Sequence, residues 1–89
     1  MKSRTTERFR AALERLPLPV RHRAATAYAL FRDDPQHPSL RFKQVHLSRP
    51  IFSVRIGLGY RALGVREHDD MVWFWIGSHA EYDRLLSEL

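Results

Sequence analysis

The side chains of this chain that can do chemistry are cations, histidines and carboxylates, because cysteine is absent. Without a thiolate there is no sulfur nucleophile and no soft metal ligand. His22, His37, His46, His68 and His79 are scattered and show no His-x-x-x-His spacing, so they predict no metal site. Asp69 and Asp70 stand in a turn, where Asp is favoured for local hydrogen bonding, and need not be read as paired catalytic carboxylates. No Gly-rich phosphate loop occurs. What remains is the cationic set: fifteen Lys and Arg against ten Asp and Glu, a formal net charge of +5. Residues 1–32 carry eight cations and two anions, residues 33–66 six and two, and residues 67–89 one and six, so the chain is basic first and acidic last. A basic surface draws polyanions such as RNA, or an acidic protein, by neutralising their charge and raising encounter rates.

The elements that must position these groups follow from periodicity. From Thr6 to Leu16, Phe9, Ala12, Leu13 and Leu16 recur at helical spacing with charged residues on the other face. Pro17 and Pro19 end that helix, and Pro19 suits the first position of a second one, whose apolar face is Val20, Ala24, Ala27, Tyr28 and Phe31. Pro35 and Pro38 stop it. After Ser39 the period becomes alternating: Leu40 and Phe42 face one way, Arg41 and Lys43 the other, which predicts a half-buried strand. Ile51–Leu58 and Tyr60–Arg66 read as strands too close together for anything but an antiparallel hairpin. Met71–Ile76 is apolar on both faces and should be covered on both sides. Ser78 with Glu81 forms a capping box that opens a last helix with Tyr82, Leu85, Leu86 and Leu89 on one face.

A length of 89 residues fits one domain over 1–89. The lack of cysteine fits a reducing, cytoplasmic setting, and neither a membrane-length apolar run nor a signal-peptide pattern is present. The expectation is an α+β fold with an N-terminal helical hairpin packed on a curled antiparallel sheet and a short C-terminal helix.

Several segments carry a resemblance to a known family: Leu16-Pro17-Leu18-Pro19-Val20, His37-Pro38-Ser39-Leu40, Phe52-Ser53-Val54-Arg55, Gly59-Tyr60-Arg61-Ala62-Leu63 and Trp73 through His79. In this order the sequence resembles a RelE/ParE-superfamily toxin over nearly its full length. Many members carry a strand before the first helix, for which only Lys2–Thr6 remain here, so that strand should be short or absent. The resemblance implies a toxin of a type II toxin-antitoxin system that cleaves mRNA on the ribosome without metal or cofactor and is held inactive by a cognate antitoxin. A ParE-like toxin that binds DNA gyrase without cutting is the alternative, as is a degenerate relative with only a protein-binding role.

In nucleolytic members, cations on the concave sheet face grip mRNA and stabilise the charge that develops as the ribose 2′-hydroxyl attacks its phosphate. At matching positions the resemblance implies Arg61, Arg55 and His79 as catalytic groups, with Lys43, Arg41 and Arg49 as RNA contacts. An arginine offers a bidentate guanidinium to phosphate, and an imidazole moves protons near neutrality. Against these stand plainer readings: a surface ion pair for Arg61, a solvent-facing strand residue for Arg55, a first-turn helix residue for His79, and core packing for Tyr82. Ser53 stands where the nucleolytic members have a lysine, which thins the cationic set.

The site needs Arg55 and Arg61 on one face of the sheet. A two-residue loop at Leu58-Gly59 would put Arg61 opposite Ile56 on the apolar side, whereas a three-residue loop Leu58-Gly59-Tyr60 pairs Gly57 with Arg61 and Arg55 with Leu63. The odd-length loop, with Gly59 supplying a positive dihedral, is therefore expected. A two-residue turn at His68-Asp69 would then set Gly64 opposite Trp73 and Ala62 opposite Trp75. It would place Phe52, Val54, Ile56, Trp73 and Trp75 under the helical hairpin and leave Leu63, Val65, Val72 and Phe74 on the arginine face.

Overall fold

The computed structural model describes Met1–Leu89. The chain opens with a strand, β1 (Lys2–Thr5), followed by α1 (Glu7–Glu14) and α2 (Leu18–Asp33). A short 3-10 turn (Pro38–Leu40) leads to β2 (Lys43–Gln44), then β3 (Ile51–Ile56), β4 (Tyr60–Glu67), β5 (Asp70–Ser78) and α3 (His79–Glu88). The helix boundaries have local causes. Thr6 caps α1 by accepting from the Phe9 amide at 3.1 Å. Pro19 lies in the first turn of α2, where its missing N–H costs nothing. At the start of α3 both halves of the capping box are made: Ser78 Oγ accepts from the Glu81 amide at 3.2 Å, and the Glu81 carboxylate accepts from the Ser78 amide at 3.0 Å.

The five strands lie in the order β1-β5-β4-β3-β2. Neighbours are antiparallel except at one edge, where β1 runs parallel to β5 with Lys2 opposite Asp70 and Thr5 opposite Trp73. The N-terminal strand is thus short and present, and the antiparallel sheet expected from sequence acquires a parallel edge. β5, apolar on both faces, lies between β1 and β4, with α1 packed on one face and α3 on the other.

One expected strand is mostly something else. Leu40 closes the 3-10 turn, and Arg41 follows with φ of +47°, so the alternation of Leu40 to Lys43 produces only a two-residue strand. The apolar half of the pattern keeps its purpose, since Leu40 is buried and Phe42 stacks on Phe52 with ring centroids 5.0 Å apart.

The β3–β4 hairpin has the odd-length loop, shifted by one residue. It is Gly57-Leu58-Gly59, Ile56 pairs with Tyr60, and Arg55 lies directly opposite Arg61. Gly57, not Gly59, takes the positive φ of +61°. The turn at His68-Asp69 has two residues as expected, with Glu67 opposite Asp70, and Gly64 faces Trp73. Beyond that point a β-bulge inserts Phe74, so Leu63 pairs with Trp75 and Ala62 with Ile76. Trp75 consequently leaves the helical-hairpin side and packs near Tyr82 and Leu63 beneath α3, while Ile76 takes its place. Gly64 permits this geometry, because a Cβ there would lie 2.6 Å from the Trp73 ring.

Two cores result. Under α1 and α2, ten buried apolar residues pack together, with Phe31 edge-on to Trp73 at 5.2 Å. Under α3 a smaller cluster joins Ile51, Leu63 and Tyr82.

Candidate functional site

The smaller core ends where the charged half of the sheet face begins. α3 covers only part of that face, and beside it lies a basin of about 530 Å³ lined by Arg41, Lys43, Ser53, Arg55, Arg61, His79, Tyr82 and Asp83 among others. Five of the six expected site residues therefore meet in one hollow. Arg49 does not line it: this residue sits on the loop before β3, exposed, with its amide donating to His46 Nδ1 at 3.0 Å and its carbonyl accepting from Gln44 Nε2 at 3.0 Å.

The two arginines are placed by strand pairing. As directly opposed residues of an antiparallel pair, Arg55 and Arg61 project from the same face. Each is tethered through one donor only: Arg55 Nε donates to the Gly57 carbonyl at 3.0 Å, and an Arg61 terminal nitrogen donates to the Tyr60 carbonyl at 2.8 Å. The surface ion pair that would give Arg61 a purely structural role is absent, since the salt bridges of the molecule are Arg4–Glu67, Arg32–Asp33 and His79–Asp83. Like charges placed opposite one another oppose strand pairing. Partial burial, and next the neighbouring Arg55 charge, push the Arg61 pKa down from its ordinary value; Tyr82 and Asp83 act the other way. A guanidinium titrates far above neutrality, so Arg61 stays cationic and lacks a counterion.

His79 is fixed from two sides. Its amide donates to the Gly59 carbonyl at 2.8 Å, which pins the start of α3 to the β3–β4 loop. Its Nδ1 lies 3.0 Å from Asp83 one turn along the helix, and its ring meets that of Tyr82 edge-on at 5.9 Å. Asp83 is the residue that sequence reasoning missed. The signal was present as an i, i+4 spacing on a helix, which sets two side chains on one face. With Nδ1 held by a carboxylate, the other ring nitrogen has no hydrogen-bond partner within the molecule.

Tyr82 belongs to the core, as its place on the apolar face of α3 implied, but its hydroxyl is not idle. It donates to Ser53 Oγ at 3.1 Å, with both residues buried. This explains Ser53 in physical terms: the position carries a small hydroxyl because the Tyr82 ring lies above it, and a long cationic side chain would have to displace that ring. Lys43 faces Ser53 across the β2–β3 pair, and Arg41 reaches the basin from its left-handed backbone conformation. No three His, Asp or Glu side chains converge as metal ligands. Chemically, the basin can bind an anion bidentately and move a proton beside it.

Comparison with known proteins gives this architecture a place. The ParE-like toxin domain family matches residues 18–84. No curated protein matches the sequence itself. Among solved structures, the RelB-RelE antitoxin-toxin complex from Methanococcus jannaschii matches at 16% identity and a TM-score of 0.72, covering 90% of this chain and 95% of that one. The isolated E. coli RelE toxin matches at 13% identity and a TM-score of 0.66, over 99% of this chain and 98% of that one. The Mycobacterium tuberculosis RelBE2 complex matches at 24% identity and a TM-score of 0.58, over 88% and 96%. With most of its length matched by the family and its α+β architecture shared with these structures, the chain belongs to the ParE-like toxin domain family, within the RelE/ParE superfamily of toxin-antitoxin systems.

Proposed function

We propose that this protein is the toxin of a type II toxin-antitoxin pair and that it cleaves mRNA on the ribosome. The observation that carries this reading is the opposed pair Arg55 and Arg61, free of carboxylate partners, on the rim of a basin that also holds the His79–Asp83 pair. The two guanidiniums hold the scissile phosphate and stabilise the charge that builds on its oxygens. The ribose 2′-hydroxyl loses its proton to solvent and bonds to phosphorus. The bond from phosphorus to the 5′-oxygen of the next nucleotide breaks, and His79, oriented by Asp83, gives that oxygen its proton. The products are a 2′,3′-cyclic phosphate and a 5′-hydroxyl. Arg41 and Lys43 hold flanking phosphates as point contacts.

With one imidazole and a serine where nucleolytic relatives have a lysine, the basin supplies few proton-transfer groups of its own, which favours a substrate aligned by the ribosome. The solved complexes of RelE with RelB support a cognate antitoxin as partner. An acidic or amphipathic segment of that antitoxin covers the basic face, so the affinity of the pair falls as salt rises.

Translation in vitro with toeprinting tests the reading. Cuts at defined mRNA positions that need the ribosome support it. The ParE-like character of the matched family favours a second reading, inhibition of DNA gyrase without cleavage. Intact mRNA together with blocked supercoiling would select it.

A further inference from the structure

We infer that the cleft between α2 and the β3–β4 loop is a second phosphate subsite, taking the nucleotide next to the one held by Arg55 and Arg61; this inference rests on the RNA-cleavage reading above. The cleft is about 700 Å³, and Arg55 lines both it and the basin, so the two hollows share one residue. Its rim carries His22 and Arg23, its floor is formed by Ala27, Leu30 and Tyr60, and no carboxylate lines it.

Gly57 is the joint. Its carbonyl accepts from Arg55 Nε at 3.0 Å, and on its other side Arg23 Cδ lies 2.9 Å from where a Cβ would sit. The positive φ and missing side chain of this one residue let both arginines lean on the same bend. Arg23 makes no ion pair, and the residue is exposed.

The chemistry of the cleft suits a single-stranded nucleotide, whose charged phosphate and flat apolar base are one unit: the phosphate meets Arg23 and Arg55 while the base lies on Tyr60 and Leu30. An acidic protein segment could match the cations. It would bring no flat group to the apolar floor.

Binding of 2′-O-methyl oligonucleotides, which lack the attacking hydroxyl, measured by fluorescence anisotropy tests the inference. For a tetranucleotide, Arg23→Ala should weaken binding roughly tenfold and reduce the salt slope by about 0.7, the loss of one phosphate contact to a single strand. Binding of a dinucleotide should be unchanged, and Arg61→Ala should weaken both. If the folded Arg23→Ala variant binds the tetranucleotide like the parent while Arg61→Ala does not, the subsite is overturned and the basin stands. If the parent protein binds neither oligonucleotide, the subsite is overturned, and the ribosome-dependent cleavage reading is decided separately by toeprinting. If Arg23→Ala loses a poly-glutamate peptide but keeps RNA, the cleft belongs to a protein partner and the inference is wrong.

Discussion

The two faces of the sheet are built by opposite rules. The face under α1 and α2 is closed by ten buried apolar residues, none of them charged. The face under α3 buries Ile51, Leu63 and Tyr82 together and gives its remaining area to Arg55, Arg61 and the Ser53–Tyr82 hydroxyl pair. The difference is one of coverage, since two helices of 8 and 16 residues close the first face and a single helix lies on the second. At ten residues, α3 is about 15 Å long, enough to roof part of a sheet face and leave the rest as a walled basin. One face stabilises the molecule, and the other gives up stability to keep two like charges side by side.

The largest expected effect tests the closed face. Trp73→Ala removes a ring that is 3% exposed and should cost about 3–5 kcal/mol, read from the urea midpoint. Trp75→Ala, on the half-buried side beneath α3, should cost clearly less. Equal losses would erase the contrast between the faces. Next comes the open face. Arg61→Ala should lower cleavage by about 100-fold or more and relieve growth arrest, with stability within about 0.5 kcal/mol of the parent. A folded Arg61→Ala protein that remains equally toxic would take Arg61 out of the mechanism.

A smaller effect sits on the boundary between the two halves of the open face. Tyr82→Phe leaves Ser53 Oγ buried without its partner and should cost about 1–2 kcal/mol, and adding Ser53→Ala should return part of that loss. Strict additivity in the double-mutant cycle would mean that the hydroxyls do not interact. The smallest effect concerns the roof. The backbone and side-chain hydrogen bonds from Ser78 hold the Glu81 carboxyl below its ordinary 4.5. A pKa lowered in the folded state gives stability that is present above 4.5 and lost as pH falls through the folded value. Melting should therefore be slightly earlier at about pH 3 than at about pH 6, and Glu81→Gln should flatten that difference. The group is exposed, so solvent screening keeps the effect on stability small.

Where sequence was legible, the pattern had a local cause. The proline-bounded helical hairpin, the Ser78–Glu81 box and the two-residue turn at His68-Asp69 each depend on residues within a few positions of one another. The shared face of Arg55 and Arg61 is a requirement of the site that the resemblance implies, and the odd-length loop follows from that requirement; the loop is odd but starts one residue earlier. What escaped was whatever the far side of the molecule decides. Phe74 is the extra residue of a bulge, and strict alternation cannot reveal where a strand gains one, so Trp75 was assigned to the wrong face. Leu40 to Lys43 alternate like a strand, yet the buried seat of Leu40 is reached from a 3-10 turn. Within the site, five residues converge and Arg49 does not, because its loop turns back on His46 and Gln44.

The parallel pairing of β1 with β5 joins segments far apart in sequence, with Lys2 opposite Asp70 and Thr5 opposite Trp73. Closing so long a loop to gain a four-residue strand is slow, since contacts distant in sequence form late. During synthesis β1 emerges well before β5 and must wait for it, while the meander β3-β4-β5 can pair as it emerges. Until β1 docks, β5 is an unpaired edge bearing Met71 and Trp73, open to any extended strand nearby. The contacts that finish the sheet, Tyr28 hydroxyl to Ser3 carbonyl at 2.9 Å and Arg10 to Thr5 carbonyl at 2.7 Å, act as a latch on that edge.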